Sequence, residues 1–315
     1  MSGAGPGCLL GSVCHYDDGM ITCFDIGGSA IKSVAATADG QIGKLHRVPT
    51  PTQDFASFTA AMQSLIGAGG ASRGVAISIA GVIDPADGRI KCANIPCIDG
   101  RALAADLSKA FDLPVWIIND ADSFALAEAQ AGAGRGHANV FGLILGTGVG
   151  GGLVIGGQLV GGPGGFAGEW GHGPVVSNPR FACGCGQSGC LDTVGGARGL
   201  ERLHRSLHGR SLDSRDIIAA WQAGDEHAER TVACWTDLLS GPLAMLVNTV
   251  GASILPVGGG LANSAPLIAR LDQAVRAQIL RKTDAPIIVQ GQSGAEPGLI
   301  GAAWLGLEKL GRPHA

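Results

Sequence analysis

The sequence predicts an α/β protein of two domains, and three observations carry that prediction. Segments of strand character alternate with segments of helical spacing from residue 20 onward. The 315 residues are enough for two separate hydrophobic cores. A strand–glycine turn–strand pattern occurs twice, with DIGGS at 25–29 and GTGVGGG at 146–152.

Composition narrows the function classes. Hydrophobic residues make up 46% of the chain and charged residues 15%, which excludes a disordered protein. The net charge is −4 and no Lys/Arg run occurs, so neither nucleic acid nor an anionic membrane is an expected partner. The longest apolar runs are strand-sized, short of the ~20 residues of a membrane span. There are nine cysteines, three of them clustered at 183, 185 and 190. That usage fits a reducing cytoplasm and a metal site better than a disulfide framework. Residues 1–19 have no periodicity, no basic start and no apolar centre. They read as a disordered leader ahead of a start at Met20, with a small structured cap as the alternative.

The elements follow in order. Residues 20–25 and 31–36 are strands joined by the first Gly-Gly turn, and 41–48 read as a third strand. Phe55, Phe58, Met62, Leu65 and Ile66 have helical spacing. Residues 74–80 are a buried-type strand, and 81–90 a turn-rich link. A helix at 102–111 precedes a strand at 115–118, which stops at Asn119-Asp120 where another helix starts. The strand at 140–145 runs into the second glycine turn, with further strands at 153–155 and near Leu159. Helices are expected at 193–207, 213–223, 226–250, 266–280 and 297–310, with strands at 253–257 and 286–289. The long helix at 226–250 is compatible with an interface, although a core helix is the commoner explanation.

Glycine turns let a ligand approach the backbone and can aim N–H groups at phosphate, although an ordinary hairpin turn reads the same way. Gly146, Gly148 and Gly151 match G-x-G-x-x-G, but a strand follows them, not a helix, so a dinucleotide fold is not indicated. Two such turns facing each other could grip a polyphosphate.

Cys183-x-Cys185-x₄-Cys190, with His172 upstream, supplies three thiolates and an imidazole, a closed tetrahedral set for a structural zinc ion. The alternative is three unligated thiols in a glycine-rich loop. A metal on one His172 nitrogen leaves the other free for a ligand. Glu169, His172 and Asp192 then surround one point. With Asn119 and Asp120 they make five polar groups suited to sugar hydroxyls. Taken singly, Asn119 and Asp120 could cap a helix, and Glu169 and Asp192 could be solvated loop carboxylates.

DIGGS (25–29), NDAD (119–122), GTGVGGG (146–152), EWGH (169–172) and CGCGQSGCLD (183–192) together resemble the ROK family of sugar kinases and repressors, from about residue 20 to the end. The resemblance implies an actin-like, ribonuclease-H-like ATPase fold with two domains around a cleft. The smaller domain would be 20–120 plus a C-terminal helix at about 297–311. The larger, 121–296, would hold zinc and a homodimer interface. It implies that ATP contacts two stretches. The first is Cys23, Phe24, Asp25, Ile26, Gly27, Gly28, Ser29 and Ala30. The second is Gly146, Thr147, Gly148, Val149, Gly150, Gly151, Gly152 and Leu153, with Gly259 near the adenosine. Mg²⁺ would bridge the phosphates, with Asp25 its partner through water. Asp120 would be the general base. Asn119, Glu169, His172 and Asp192 would hold the sugar, with Asn94 and the backbone near Gly81 as further sugar-side positions.

Four positions depart from the family's pattern. Ser29 stands for Thr, and Ala30 for a common Lys, with Lys32 two residues on and on the same strand face. Ala80 stands for Pro, and Asp192 for Glu. The expected activity is ATP-dependent phosphorylation of a hexose 6-hydroxyl, N-acetylglucosamine first. Glucokinase, N-acetylmannosamine kinase and fructokinase are the alternatives. A sugar-responsive repressor needs a DNA-binding segment of roughly sixty to eighty residues, which the short stretch before residue 20 does not supply. A sugar-binding protein without activity is a third reading, and Asp120 with both glycine turns argues against it.

Overall fold

The computed structural model describes residues 19–311, apart from 38–40, 68–70 and 85. The expected leader, apart from Gly19, therefore lies outside the described residues; Gly19 itself is buried. In chain order the elements are β1 (Met20–Ile26), β2 (Ala30–Thr37), β3 (His46–Pro49), α1 (Phe55–Gln63), β4 (Ser72–Ile79), β5 (Val82–Ile83), β6 (Ile90–Lys91), α2 (Leu103–Phe111), β7 (Val115–Asn119) and α3 (Asp120–Ala131). Next come β8 (Asn139–Leu145), β9 (Val149–Ile155), β10 (Gln158–Leu159), α4 (Asp192–Gly195), α5 (Ala197–His208), α6 (Ser214–Gln222), α7 (Glu226–Val250), β11 (Leu255–Gly258), α8 (Ala265–Gln278), β12 (Ile288–Gln290) and α9 (Pro297–Gly311).

The chain forms two units. The first takes residues up to Ala131, Gly161–Phe166 and the chain from Ser293; the second takes Gly132–Val160 and Ala167–Gln292. The division falls after α3, where the sequence reading put it at 120. Helix α3 belongs to the first unit because Gly301 of α9 packs directly on the Ser123 backbone, leaving no room for a Cβ.

Each unit is built on a five-stranded sheet, and the two sheets have the same plan. The order is β3-β2-β1-β4-β7 in the first and β10-β9-β8-β11-β12 in the second. In both, the first three strands are antiparallel and the last two join in parallel. Two copies of this arrangement are the ribonuclease-H-like plan of the actin-like ATPases, so the expected fold class is the one the chain adopts.

The core of the first unit lies on both sheet faces. Phe24, Ile26, Ile31 and Ile77 cluster with Phe58 and Met62 of α1 and Leu103 and Leu107 of α2, and Ile21, Cys23, Val34 and Ala76 with Leu299, Ala302, Ala303 and Leu307 of α9. Strands covered on both faces carry continuous apolar runs, which is how β1 and β4 read. In the second unit Trp235, Leu239 and Leu243 of α7 join Phe141, Leu143 and Leu145 of β8 in one cluster, so α7 is a core helix along that face.

Among the elements that differ from the sequence reading, β9 begins at Val149 and not at the expected residue 153. The strand expected at 41–48 forms only at His46–Pro49: residue 42 makes an isolated bridge to Ala36, and the ladder resumes one residue out of step at Ser33↔His46. The helix expected at 193–207 is two, α4 and α5, broken at Gly196, whose backbone is extended (φ −82°, ψ −178°). A Cβ at Gly196 would lie 2.6 Å from the Cα of Gly148, so this break lets the chain pass against the second glycine turn.

Candidate active site

In the first unit, β1, β4 and β7 run parallel, and Ile26, Ile79 and Asn119 end them in one row. Ligand chemistry in α/β proteins gathers at such carboxyl ends. The Gly27-Gly28-Ser29 turn, Gly81 and Asp120 all emerge from this edge. The turn is fixed by its own Gly27 N–H to Ala30 carbonyl bond (3.1 Å) and by the Thr50 hydroxyl, which donates to the Gly27 carbonyl (2.6 Å). Asn94 lies against Gly28, with its carbonyl 3.3 Å from where a Cβ would stand.

Asn119 accepts the Asp122 N–H at 2.7 Å and so caps α3. Asp120 opens that helix, and one of its oxygens accepts the Ala121 N–H (3.0 Å). Solvent reaches Asp120, yet crowding by protein atoms pushes its carboxyl above the ordinary carboxylate range, and the negative charge of Asp25 pushes the same way. That is the direction a general base requires.

Asp25 sits directly across the β1–β2 ladder from Lys32, whose ammonium is 3.6 Å from the Asp25 carboxylate and 2.5 Å from that of Glu296. Burial raises the Asp25 pKa; Lys32 pulls it down. Among the other residues expected at the nucleotide, Cys23 and Phe24 are fully buried and Ile26 nearly so. Their side chains are core, and only their backbone is available to a ligand.

In the second unit the turn between β8 and β9 is Gly146-Thr147-Gly148. Gly150, Gly151, Gly152 and Leu153 are ladder residues of β9, paired with β8. Gly151 is small for a packing reason: a Cβ would lie 2.7 Å from the Phe141 ring and 2.9 Å from the Trp170 indole. The literal G-x-G-x-x-G match therefore mixes a turn with a strand. Gly259 follows β11 at φ +87°, with the Leu145 carbonyl 2.5 Å from any Cβ, so it abuts the turn as only glycine can.

The loop carrying Glu169 and His172 is anchored by the Trp170 indole N–H, which donates to the Gly150 carbonyl (2.9 Å). His172 Nε2 lies 3.7 Å from the Glu169 carboxylate, and its Nδ1 lies 3.7 Å from the Cys183 sulfur. A tight turn brings Cys183 and Cys185 toward Cys190: the Cys183 N–H bonds the Gln187 carbonyl (2.8 Å), and Ala182 bridges Ser188. The ligand atoms of His172, Cys183, Cys185 and Cys190 all lie within 4.8 Å of one another, and the Cys185 and Cys190 sulfurs are 3.6 Å apart. Tetrahedral zinc with Zn–S near 2.3 Å spaces its sulfurs by about 3.8 Å, so the four residues fit such an ion.

Asp192 accepts the Val149 N–H at 2.8 Å through one carboxylate oxygen, and the other lies 3.9 Å from the Cys183 sulfur. Sequence reasoning missed Thr50, Ser78 and Glu296. Glu296 lies 264 positions from Lys32, and no local pattern signals that pairing.

Residues 21–309 match the model of the ROK family. The chain is 36% identical over 297 residues to an N-acetyl-D-glucosamine kinase of Salmonella paratyphi C (strain RKS4594), covering 90% of this chain and 98% of that one. It is also 36% identical over 293 residues to the N-acetylgalactosamine kinase AgaK of Shewanella sp. (strain ANA-3), covering 90% and 95%. The crystal structure of a ROK hexokinase from Thermus thermophilus matches with a TM-score of 0.83 at 31% identity, covering 92% of this chain and 99% of that one.

Proposed function

The chain belongs to the ROK family, and from that premise we propose that it transfers the γ-phosphoryl group of ATP to the 6-hydroxyl of a hexose, with N-acetyl-D-glucosamine the first choice. The observation that carries the reading is Asp120, a carboxylate at the end of a parallel strand, with its pKa raised. The relatives named for N-acetylhexosamine kinases favour a 2-acetamido sugar over glucose or fructose.

In this reading Asp120 orients the 6-hydroxyl and takes its proton. Asn94, Asn119, Glu169, His172 and Asp192 hold the remaining hydroxyls. Phosphoryl transfer is mainly alignment and charge neutralisation, and the turns at 27–29 and 146–148 supply backbone N–H groups to the phosphates. Asp25 is the carboxylate that would hold Mg²⁺ through water, and the ion, when bound, would supply positive charge to offset the phosphates. Zinc held by His172 and the three cysteines would fold the loop; a closed Cys₃His set leaves no position for a reacting water. The protein acts as a homodimer in the cytoplasm.

The test is an ADP-release assay with Mg²⁺-ATP across N-acetylglucosamine, N-acetylgalactosamine, N-acetylmannosamine, glucose and fructose. Turnover highest on an N-acetylhexosamine supports the reading. Absence of turnover on all five, in folded protein, overturns it in favour of a binding protein.

A further inference from the structure

We propose that Glu296 is a positioning residue that draws the Lys32 ammonium off Asp25 and so leaves the Asp25 carboxylate open to the water shell of Mg²⁺. The inference rests on the sugar-kinase reading, which makes Asp25 the carboxylate for that ion.

Asp25 is suited to an ion held through water. It stands one residue from the carboxyl end of β1, and its side chain is 28% exposed, so water reaches it. Its Oδ1 backs on α9: a Cβ on Gly298 would lie 2.6 Å from that oxygen. Its Oδ2 is the oxygen that Lys32 approaches, at 3.6 Å. Lys32 stands directly across the β1–β2 ladder. An ammonium there and a metal ion are drawn to the same carboxylate and repel each other. Without a second acid, the ammonium would close on Oδ2 in a charge-assisted bond of about 2.8 Å. The metal would then meet a carboxylate already neutralised.

Glu296 is that second acid. Its carboxylate lies 2.5 Å from the Lys32 ammonium, against 3.6 Å for Asp25. The first contact is a hydrogen bond, and the second is too long to be one. Glu296 is fixed from both sides. Three residues before it, the N–H and hydroxyl of Ser293 donate to the buried Glu128 carboxylate (2.8 and 2.6 Å). The Glu296 carbonyl accepts the Ile300 N–H (3.2 Å), and α9 itself is packed on β1 and β4. The acid is held, and the long lysine arm goes to it. The three charges sum to one negative charge, and the geometry leaves it on Asp25. If the pair merely tied β2 to α9, loss of either partner would have the same effect. Competition for Asp25 makes the two losses differ.

The experiment reads that difference. Wild type, Glu296→Gln, Lys32→Met, the double variant and Asp25→Asn are titrated calorimetrically with a non-hydrolysable ATP analogue, once with Mg²⁺ and once with no divalent ion added. The readout is the gain in affinity that Mg²⁺ brings. Asp25→Asn removes most of the gain. Glu296→Gln releases Lys32 to Asp25, and the gain falls about fivefold, the scale of one partly exposed ion pair, while metal-free affinity stays within about twofold. Lys32→Met keeps the full gain or increases it. The double variant returns to the Lys32→Met value, because no ammonium is left to compete. An unchanged gain in Glu296→Gln, an equal loss in Lys32→Met, or a double variant as weak as Glu296→Gln overturns the proposal. If Glu296→Gln fails to fold, Lys32→Met decides: a reduced gain overturns the proposal, and a kept or increased gain supports it. A gain that survives Asp25→Asn removes Asp25 from the ion and overturns it too. Wild type that binds no nucleotide overturns the kinase reading itself and this inference with it.

Discussion

Asp25 and Lys32 are cross-strand partners on β1 and β2, and Glu296, just ahead of α9, closes on the same ammonium. The cation therefore serves two carboxylates at once. Lys32→Met leaves both negative charges facing each other. For this half-buried set the expected loss is about 1–2 kcal/mol of unfolding free energy, with Lys32→Arg losing less. Urea denaturation checks it. Adding Glu296→Gln to Lys32→Met recovers part of the loss, because one of the uncompensated charges is gone. Full additivity of the two changes would refute the coupling.

Asp120→Asn is expected to cut turnover about 10²–10⁴-fold while sugar affinity changes little. In wild type the acid limb of the pH–rate profile lies above the ordinary carboxylate range, because crowding raises the Asp120 pKa. The stability effect has a definite sign. The folded chain holds the proton at pH values where the unfolded chain has lost it, so the stabilisation is complete at low pH and fades as pH rises through the folded pKa. Asp120→Asn, which does not titrate, therefore melts higher than wild type at neutral pH, and the difference vanishes near about pH 3. An advantage that persists in acid would refute this account.

Chelation of the metal proposed for His172, Cys183, Cys185 and Cys190 is expected to lower the melting temperature by roughly 5–10 °C. Cys185→Ser is expected to do the same, and elemental analysis should then find well below the one zinc per chain expected of the wild type. Full zinc content in the Cys185→Ser protein would remove Cys185 from the ligand set.

Gly298→Ala tests the packing of α9 on Asp25. Helix propensity alone favours alanine by about 0.8–1 kcal/mol. A Cβ there would, however, lie 2.6 Å from the Asp25 carboxylate and 3.1 Å from the Ser78 hydroxyl. Overpacking of this kind costs about 1–3 kcal/mol, so the net effect is destabilising, read as a lower denaturation midpoint. A higher midpoint would mean that α9 has room to shift.

The parts of this molecule legible in the sequence are those with short-range causes. Short, largely apolar β-prone runs placed β1, β4 and β8, and the C-x-C-x₄-C spacing assembled the cysteine cluster that the structure brings together with His172. Residues whose partners lie far along the chain were not legible in that way. Lys32 was marked as out of place, but its pairing with Glu296 depends on how α9 returns to β1. The break at Gly196 had a local signal in the Gly195-Gly196 pair, but the contact that requires it comes from Gly148, far back in the chain. The hydrogen bond from the Val149 N–H to Asp192 was not legible either, because the two residues stand 43 positions apart.

The packing of α9 against β1 and β4 has a consequence for synthesis on the ribosome. Ile21, Cys23 and Ala76 are made well before Leu299, Ala302, Ala303 and Leu307, which cover them. The second unit, by contrast, can complete its sheet once β12 has emerged. Domains tend to fold as units, so the earlier-encoded unit is expected to keep a sheet face bare until α9 is made. A purified fragment ending before residue 297 should therefore hold a protease-resistant second unit and a cleavable first one.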